Sequence, residues 1–249
     1  MTASRPAASV VFAILALCVT SRPAAAQIPT TFQNLQHFPR EITREDLVQR
    51  MREFSFALGV RCQYCHAGGD GISFDGVKFE SDEKVTKQKA RYMLKMVGEL
   101  NDKMLTAVPS RALPTVRISC TTCHRGSALP RTLEDELARI IAAEGVPAAV
   151  AKYRELRRDT MHLGRYNFGE WSMNELGDRL AREGNVDGAI AMFQLNAEFY
   201  PKSAEIDLRL GELFVTKGDK ERAIASFKAA LEKQPNNPRA KQRLEELSK

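Results

Sequence analysis

No apolar run in this 249-residue chain is long enough to cross a bilayer, which takes about 20 residues. The longest, Val10 to Val19, reaches half of that. Cysteine is scarce at five residues. Cys18 sits in that apolar run, and the other four fall in two short motifs, so no pair is left for a structural disulfide. Aromatics are only 7%, with one tryptophan, so a core must find its bulk elsewhere. No strong charge of either sign is present, with a net charge of +6. No basic run is interleaved with aromatics, which argues against a nucleic-acid surface.

Alanine, leucine, lysine, arginine and glutamate dominate instead. Strong helix formers in that proportion predict an all-α chain. The two motifs are Cys62-Gln63-Tyr64-Cys65-His66 and Cys120-Thr121-Thr122-Cys123-His124. Each reads C-x-x-C-H, the attachment signature of a c-type haem. Two thiols on one turn reach the two vinyl groups of one porphyrin, and the next residue places an imidazole under the iron. Cys62, Cys65, Cys120 and Cys123 are therefore the expected covalent sites of two haems, with His66 and His124 as proximal ligands. Two C-x-x-C pairs also suit a four-cysteine zinc site. The long span between the pairs, and a histidine directly after both, favour haem.

Residues 1–26 read as a signal peptide, with Arg5, the short apolar run, and Ala24-Ala25-Ala26 before Gln27. Export suits c-type haem and predicts a periplasmic protein without a transmembrane span in the mature chain. Leu17 before Cys18 opposes a lipid anchor, which needs a small residue there. Removing Arg5 and Arg22 with the leader leaves a charge of +4. Basic residues outnumber acidic ones 16 to 11 over residues 27–131 but stand at 19 to 20 over residues 132–249. The excess fits pairing with haem propionates and docking of an acidic redox partner.

A helix is expected from Thr43 as N-cap, with the apolar stripe Leu47, Met51, Phe54 and Leu58 and a C-cap at Gly59. The glycine-rich stretch 67–79 reads as turns, with a short strand at Ile72-Ser73-Phe74. A second helix is expected from about Ser81 to Ala107, with Met93, Met96, Val97, Leu100 and Met104 on its apolar face and Pro109 and Pro114 ending it. Helix-face methionines are more often core filling than ligands, and position alone does not choose among them. Lys84, Lys87, Lys89, Arg91 and Lys95 read as a solvated face, with partner docking as the alternative. His37 and His162 read as surface or structural, and Trp171 as packing.

Residues 35–130 resemble the cytochrome c subunit of photosynthetic reaction centres, in a short two-haem form. The resemblance rests on Ala57-Leu58-Gly59-Val60 before the first motif, on Ala90-Arg91-Tyr92-Met93-Leu94-Lys95-Met96, and on Thr122-Cys123-His124-Arg125-Gly126. It implies a methionine on an upstream helix as sixth iron ligand: Met51 for the first haem and Met93 for the second, with Met96 and then Met104 as rivals. Where the family has a histidine eight residues before one motif, this chain has Ala112. Neither a histidine-ligated haem nor a reaction-centre partner is implied.

From Thr132 the pattern changes. Leu176 and Leu210, Gly177 and Gly211, Ala189 and Ala223, Phe193 and Phe227, and Pro201 and Pro235 each stand 34 residues apart. That is the tetratricopeptide period. Leu133–Glu144 and Pro147–Arg158 read as a degenerate leading pair of helices, and residues 238–248 as a capping helix. The expected organisation is thus a signal peptide (1–26), a mostly helical dihaem cytochrome c domain (27–131) and a tetratricopeptide-like repeat domain (132–249). The expected function is electron transfer, with redox partner proteins docked through the repeats. A dihaem enzyme such as a peroxidase and a redox-sensing scaffold are the alternatives.

Overall fold

The computed structural model describes residues 28–108 and 116–248. The leader with Cys18, and Pro109, Ala112 and Pro114, lie outside the described residues. Among the described residues every regular element is helical, apart from an antiparallel bridge between Ala67 and Lys78. The chain divides into two units. One takes Met1–Leu47 and Arg61–Leu94, the other Val48–Val60 and Lys95–Lys249.

Helix α1 (Arg44–Leu58) begins where Thr43 Oγ1 accepts the Asp46 amide at 3.1 Å. It ends in a left-handed turn at Gly59 (φ 66°), with the Val60 amide donating to the Ser55 carbonyl at 3.0 Å. In the first unit the segment 67–84 forms turns. Asp70 Oδ1 accepts the amides of Ile72 and Ser73 at 2.8 and 2.7 Å, so the expected strand there is replaced by an Asx turn. Helix α2 is Val85–Glu99, later at its start and shorter than the periodicity suggests. It passes into a π-helical turn, Leu100–Met104, in the second unit.

The second unit also holds the short helix α3 (Cys120–His124) and then seven helices: α4 (Leu133–Glu144), α5 (Val146–Thr160), α6 (Glu170–Arg182), α7 (Val186–Phe199), α8 (Ala204–Thr216), α9 (Lys220–Lys233) and α10 (Pro238–Leu247). Thr132, Asn185, Ser203, Asp219 and Asn237 each cap one of them by accepting an amide three residues on. One continuous core runs through these helices from Leu133 to Ala240. Gly177 and Gly211 explain the closeness of the pairs. A Cβ at Gly177 would lie 2.4 Å from the Phe193 ring, and one at Gly211 would lie 2.6 Å from Phe227. Each aromatic ring of the second helix thus fills the place of the missing side chain on the first. Trp171 does not pack as expected. It is 74% exposed at the start of α6, while Met173 on the same helix is fully buried.

Candidate haem-attachment sites

The first motif lies in the first unit. Cys62–Tyr64 forms one 3₁₀ turn, and the amides of Cys65 and His66 both donate to the Cys62 carbonyl, at 3.1 and 3.0 Å. The two thiols and the imidazole therefore leave one tight turn. His66 Nδ1 lies 3.2 Å from the Phe79 carbonyl oxygen. A carbonyl only accepts, so Nδ1 carries the proton and Nε2 keeps its lone pair. Burial and then the charge of Lys87 hold the His66 pKa below its ordinary value, which keeps the imidazole neutral. Burial pushes the Cys65 thiol up.

The lysine face expected to be solvated builds this site. Lys84 Nζ donates to the Gln63 carbonyl. Lys87 Nζ donates to the carbonyls of Phe79 and Ser81, both at 2.8 Å. Arg91 lies 2.7 Å from Asp82 and donates to the Asn34 carbonyl at 3.3 Å. Lys84, just before α2, and Lys87 and Arg91 on it staple this stretch of chain in place. Three of the five cations are thus engaged within the chain, so the face is not wholly solvated.

Asp82 completes the staple, with the Arg91 guanidinium and then Asn34 holding its carboxyl well below the usual carboxylate range. A depressed folded-state value gives stability that is present above the unfolded value of about 4 and lost as pH falls through the folded one. Protection of the 78–84 amides from hydrogen exchange should therefore weaken on acidification below about pH 4. Asp82→Asn should flatten that limb; a variant with an unchanged acid dependence would contradict the assignment.

The second motif is α3 itself. Thr122 Oγ1, inside the motif, accepts the Ser119 amide at 3.0 Å and fixes the helix start. His124 Nδ1 donates to the Ser127 carbonyl at 2.9 Å, repeating the arrangement at His66. Burial raises the Cys120 thiol. Arg125 (φ 48°) and Gly126 (φ 79°) turn the chain left-handed directly after the histidine. The Gly126 amide donates to the Ala57 carbonyl at 2.7 Å, and a Cβ at Gly59 would lie 2.3 Å from the Gly126 oxygen. Before the motif, Asn101 from the π-helical turn donates to the Ile118 carbonyl and accepts the Ile118 amide, both at 2.8 Å.

Phe79, Ser127, Asn101 and Arg165 (which donates to the Gly126 carbonyl at 2.7 Å) had no signature in the sequence. Met51 is half-buried on α1 and falls in the second unit; Met93 is 43% exposed on α2 and falls in the first. Met96 is 44% exposed, so exposure does not separate it from Met93.

Ligating histidines usually donate their other nitrogen to a carbonyl or carboxylate, which fixes the ring and the tautomer. Both histidines do so here, each directly after a C-x-x-C turn. Residues 62–149 match the family described as the photosynthetic reaction centre cytochrome C subunit. The chain resembles that cytochrome family. The match spans both motifs and Met93 but not Met51. Residues 180–246 match the tetratricopeptide repeat. A cytochrome c-554 of Chloroflexus aurantiacus is 38% identical over 80 residues, 32% of this chain and 16% of that protein. The photosynthetic reaction center cytochrome c subunit of Rubrivivax gelatinosus is 34% identical over 88 residues, 32% of this chain and 22% of that one. The chain thus spans less than a quarter of either relative. Among solved structures, the Yersinia enterocolitica type III secretion chaperone SycD, in complex with a peptide of the translocator YopD, is 19% identical, covers 47% of this chain and 89% of that one, and has a TM-score of 0.33.

Similarity to cytochromes c implies c-type haem binding, and the residues fit the group. The polypeptide around the motifs is also poor in core. Between residues 28 and 131 the buried apolar side chains among the described residues are Leu47, Ala57 and Ala67, and α2 buries none. No helix among the described residues is long and apolar enough to cross a membrane.

Proposed function

We propose that the chain is an exported dihaem c-type cytochrome that carries electrons, with its repeats holding a protein partner. The observation that carries this reading is the pair of histidines, each following a C-x-x-C turn and each with Nδ1 bound to a carbonyl. Cys62 and Cys65 bind one porphyrin, and Cys120 and Cys123 the other. Each pair of thiols would hold its porphyrin through two thioether bonds, S–H adding across a vinyl C=C with no atom lost. His66 and His124 offer Nε2 to the iron. The bound haem supplies a one-electron ferric–ferrous couple.

Met51 and Met93 complete the two ligand sets on the strength of the family resemblance. Thioether ligation by these methionines would raise the potential and leave no open place for a substrate, which favours a carrier over a peroxidase. The repeats suit partner binding because stacked helix pairs form extended concave surfaces. The order of Arg5, Val10–Val19 and Ala24–Ala26 supports cleavage before Gln27 and a periplasmic location.

A redox-titrated absorption spectrum of the exported protein is the test. Two haems per chain, a methionine–iron band and two potentials are expected. Met93→Ala should remove the band for one haem, and Met96→Ala should leave it. A high-spin resting spectrum together with peroxide turnover would reject the carrier reading.

A further inference from the structure

We propose that Arg165 is a positioning residue through which the helical repeats set the geometry and potential of the second haem. This rests on the dihaem reading above.

Arg165 belongs to the link between α5 and α6, on the repeat side of the chain. Its guanidinium nonetheless reaches back about forty residues. Nη2 donates to the Gly126 carbonyl at 2.7 Å and Nε to the Arg125 carbonyl at 3.4 Å. The fit is close enough that a Cβ at Gly126 would lie 3.0 Å from Nη2. The two carbonyls immediately follow His124 and precede Ser127, whose own carbonyl holds His124 Nδ1. Arg125 is in the left-handed region, which a branched or long side chain adopts only when its surroundings impose it. Arg165 on one side and the Ala57 carbonyl on the other impose it here. The turn that orients the second imidazole is therefore clamped by the link that opens the repeats.

That link is itself anchored in the repeat core. Tyr166, next to Arg165, stacks edge-on against Phe168 at 6.2 Å between ring centroids, and Phe168 is buried against Tyr153 of α5. The Phe168 carbonyl accepts from Arg157 of α5 at 3.1 Å and from the Tyr200 hydroxyl, just after α7, at 2.5 Å. These bonds tie residue 168, three residues after the clamp, to both α5 and the end of α7. The clamp also brings a fixed positive charge to the backbone beside the proximal histidine. A cation there disfavours the more positive ferric state and raises the potential.

Redox titration of Arg165→Ala holoprotein against mediators, one electron per haem, is the test. The wave that disappears in the Cys120→Ala, Cys123→Ala variant identifies the second haem. In Arg165→Ala that wave should move to lower potential while the other stays. Arg165→Lys, which keeps the charge but not the two-pronged contact, should lie between. Arg154→Ala removes an equal charge from α5, where Arg154 pairs with Glu198 on the surface, and should move neither wave. Independently of potential, the Gly126 amide, bonded to the Ala57 carbonyl in the turn that Arg165 clamps, should exchange about fivefold faster in Arg165→Ala, the factor that about 1 kcal/mol of hydrogen bond is worth. An unmoved second wave, or equal movement in Arg154→Ala, overturns the proposal. If the native protein carries fewer than two haems the dihaem reading fails separately, and unchanged exchange at Gly126 would still reject the clamp. Should Arg165→Ala fail to fold, the Arg165→Lys comparison decides.

Discussion

Replacing Cys62, Cys65, Cys120 and Cys123 by alanine should leave residues 132–248 folded and residues 28–131 without stable structure. The expectation follows from where the apolar core lies. Every member of the continuous core falls between Leu133 and Ala240. Each 100 Å² of apolar surface buried there contributes about 2.5 kcal/mol. The stretch before it buries Leu47 and two alanines, which cannot offset about 1–2 kcal/mol of backbone entropy per residue. Its hydrogen bonds do not close that gap, because each is worth only about 1 kcal/mol net. On the dihaem reading proposed above, the porphyrin faces would supply the missing apolar surface, and thioethers at the four cysteines would keep them in place. Hydrogen exchange read by mass spectrometry should show α1 and α2 exchanging at the rate of an unfolded chain, with α6 to α9 still protected. Retained protection in α1 and α2 would mean that the polypeptide holds itself.

The second large effect is expected at Phe227. Its ring is fully buried and lies where a Cβ on Gly211 would otherwise be. Phe227→Ala should cost about 3–5 kcal/mol, measured by denaturant unfolding of the repeat transition. Gly211→Val attacks the same contact from the other helix. It forces α8 and α9 apart, with a cost of about 1–3 kcal/mol or more. Combining Gly211→Ala with Phe227→Leu should cost less than the sum of the two, because each change makes room for the other. Additive losses, or a Phe227→Ala cost under about 1 kcal/mol, would show that the two helices do not depend on this ring.

The repeats were readable because their packing is local and periodic. Gly177 and Phe193 meet within one helical hairpin, and the same pair recurs 34 residues on. Even the bounds of α4, Leu133–Glu144, follow from its apolar spacing and its Thr132 cap. The two C-x-x-C-H motifs stand out as candidate haem sites because c-type attachment needs those residue types side by side. What holds the motifs does not. Phe79 and Ser127 act through backbone carbonyls, which every residue possesses and no sequence marks. Asn101 and Arg165 act across 17 and 39 residues, and a lone polar residue carries no sign of so distant a partner. The cations of α2 misled for a related reason. Exposed lysines and lysines that bind loop carbonyls have the same helical spacing, and only the fold tells which loop lies beneath them. Trp171 misled because a large apolar residue at a helix start is usually buried, whereas here the inner face belongs to Met173.

The two histidines differ in the reach of their tethers. His124 is tied to a carbonyl three residues away, inside its own turn. His66 is tied across thirteen residues, through a loop whose shape depends on Lys84, Lys87, Asp82 and Arg91. A ring tied to its own turn moves only as that turn moves, and this turn is held by Arg165 from the link between α5 and α6. A ring tied through a long loop inherits every excursion of that loop, and the salt and acidity that govern its ion pairs. On the dihaem reading, the second site would answer to the repeat side of the chain through Arg165, and the first to the salt and acidity of the surrounding solution.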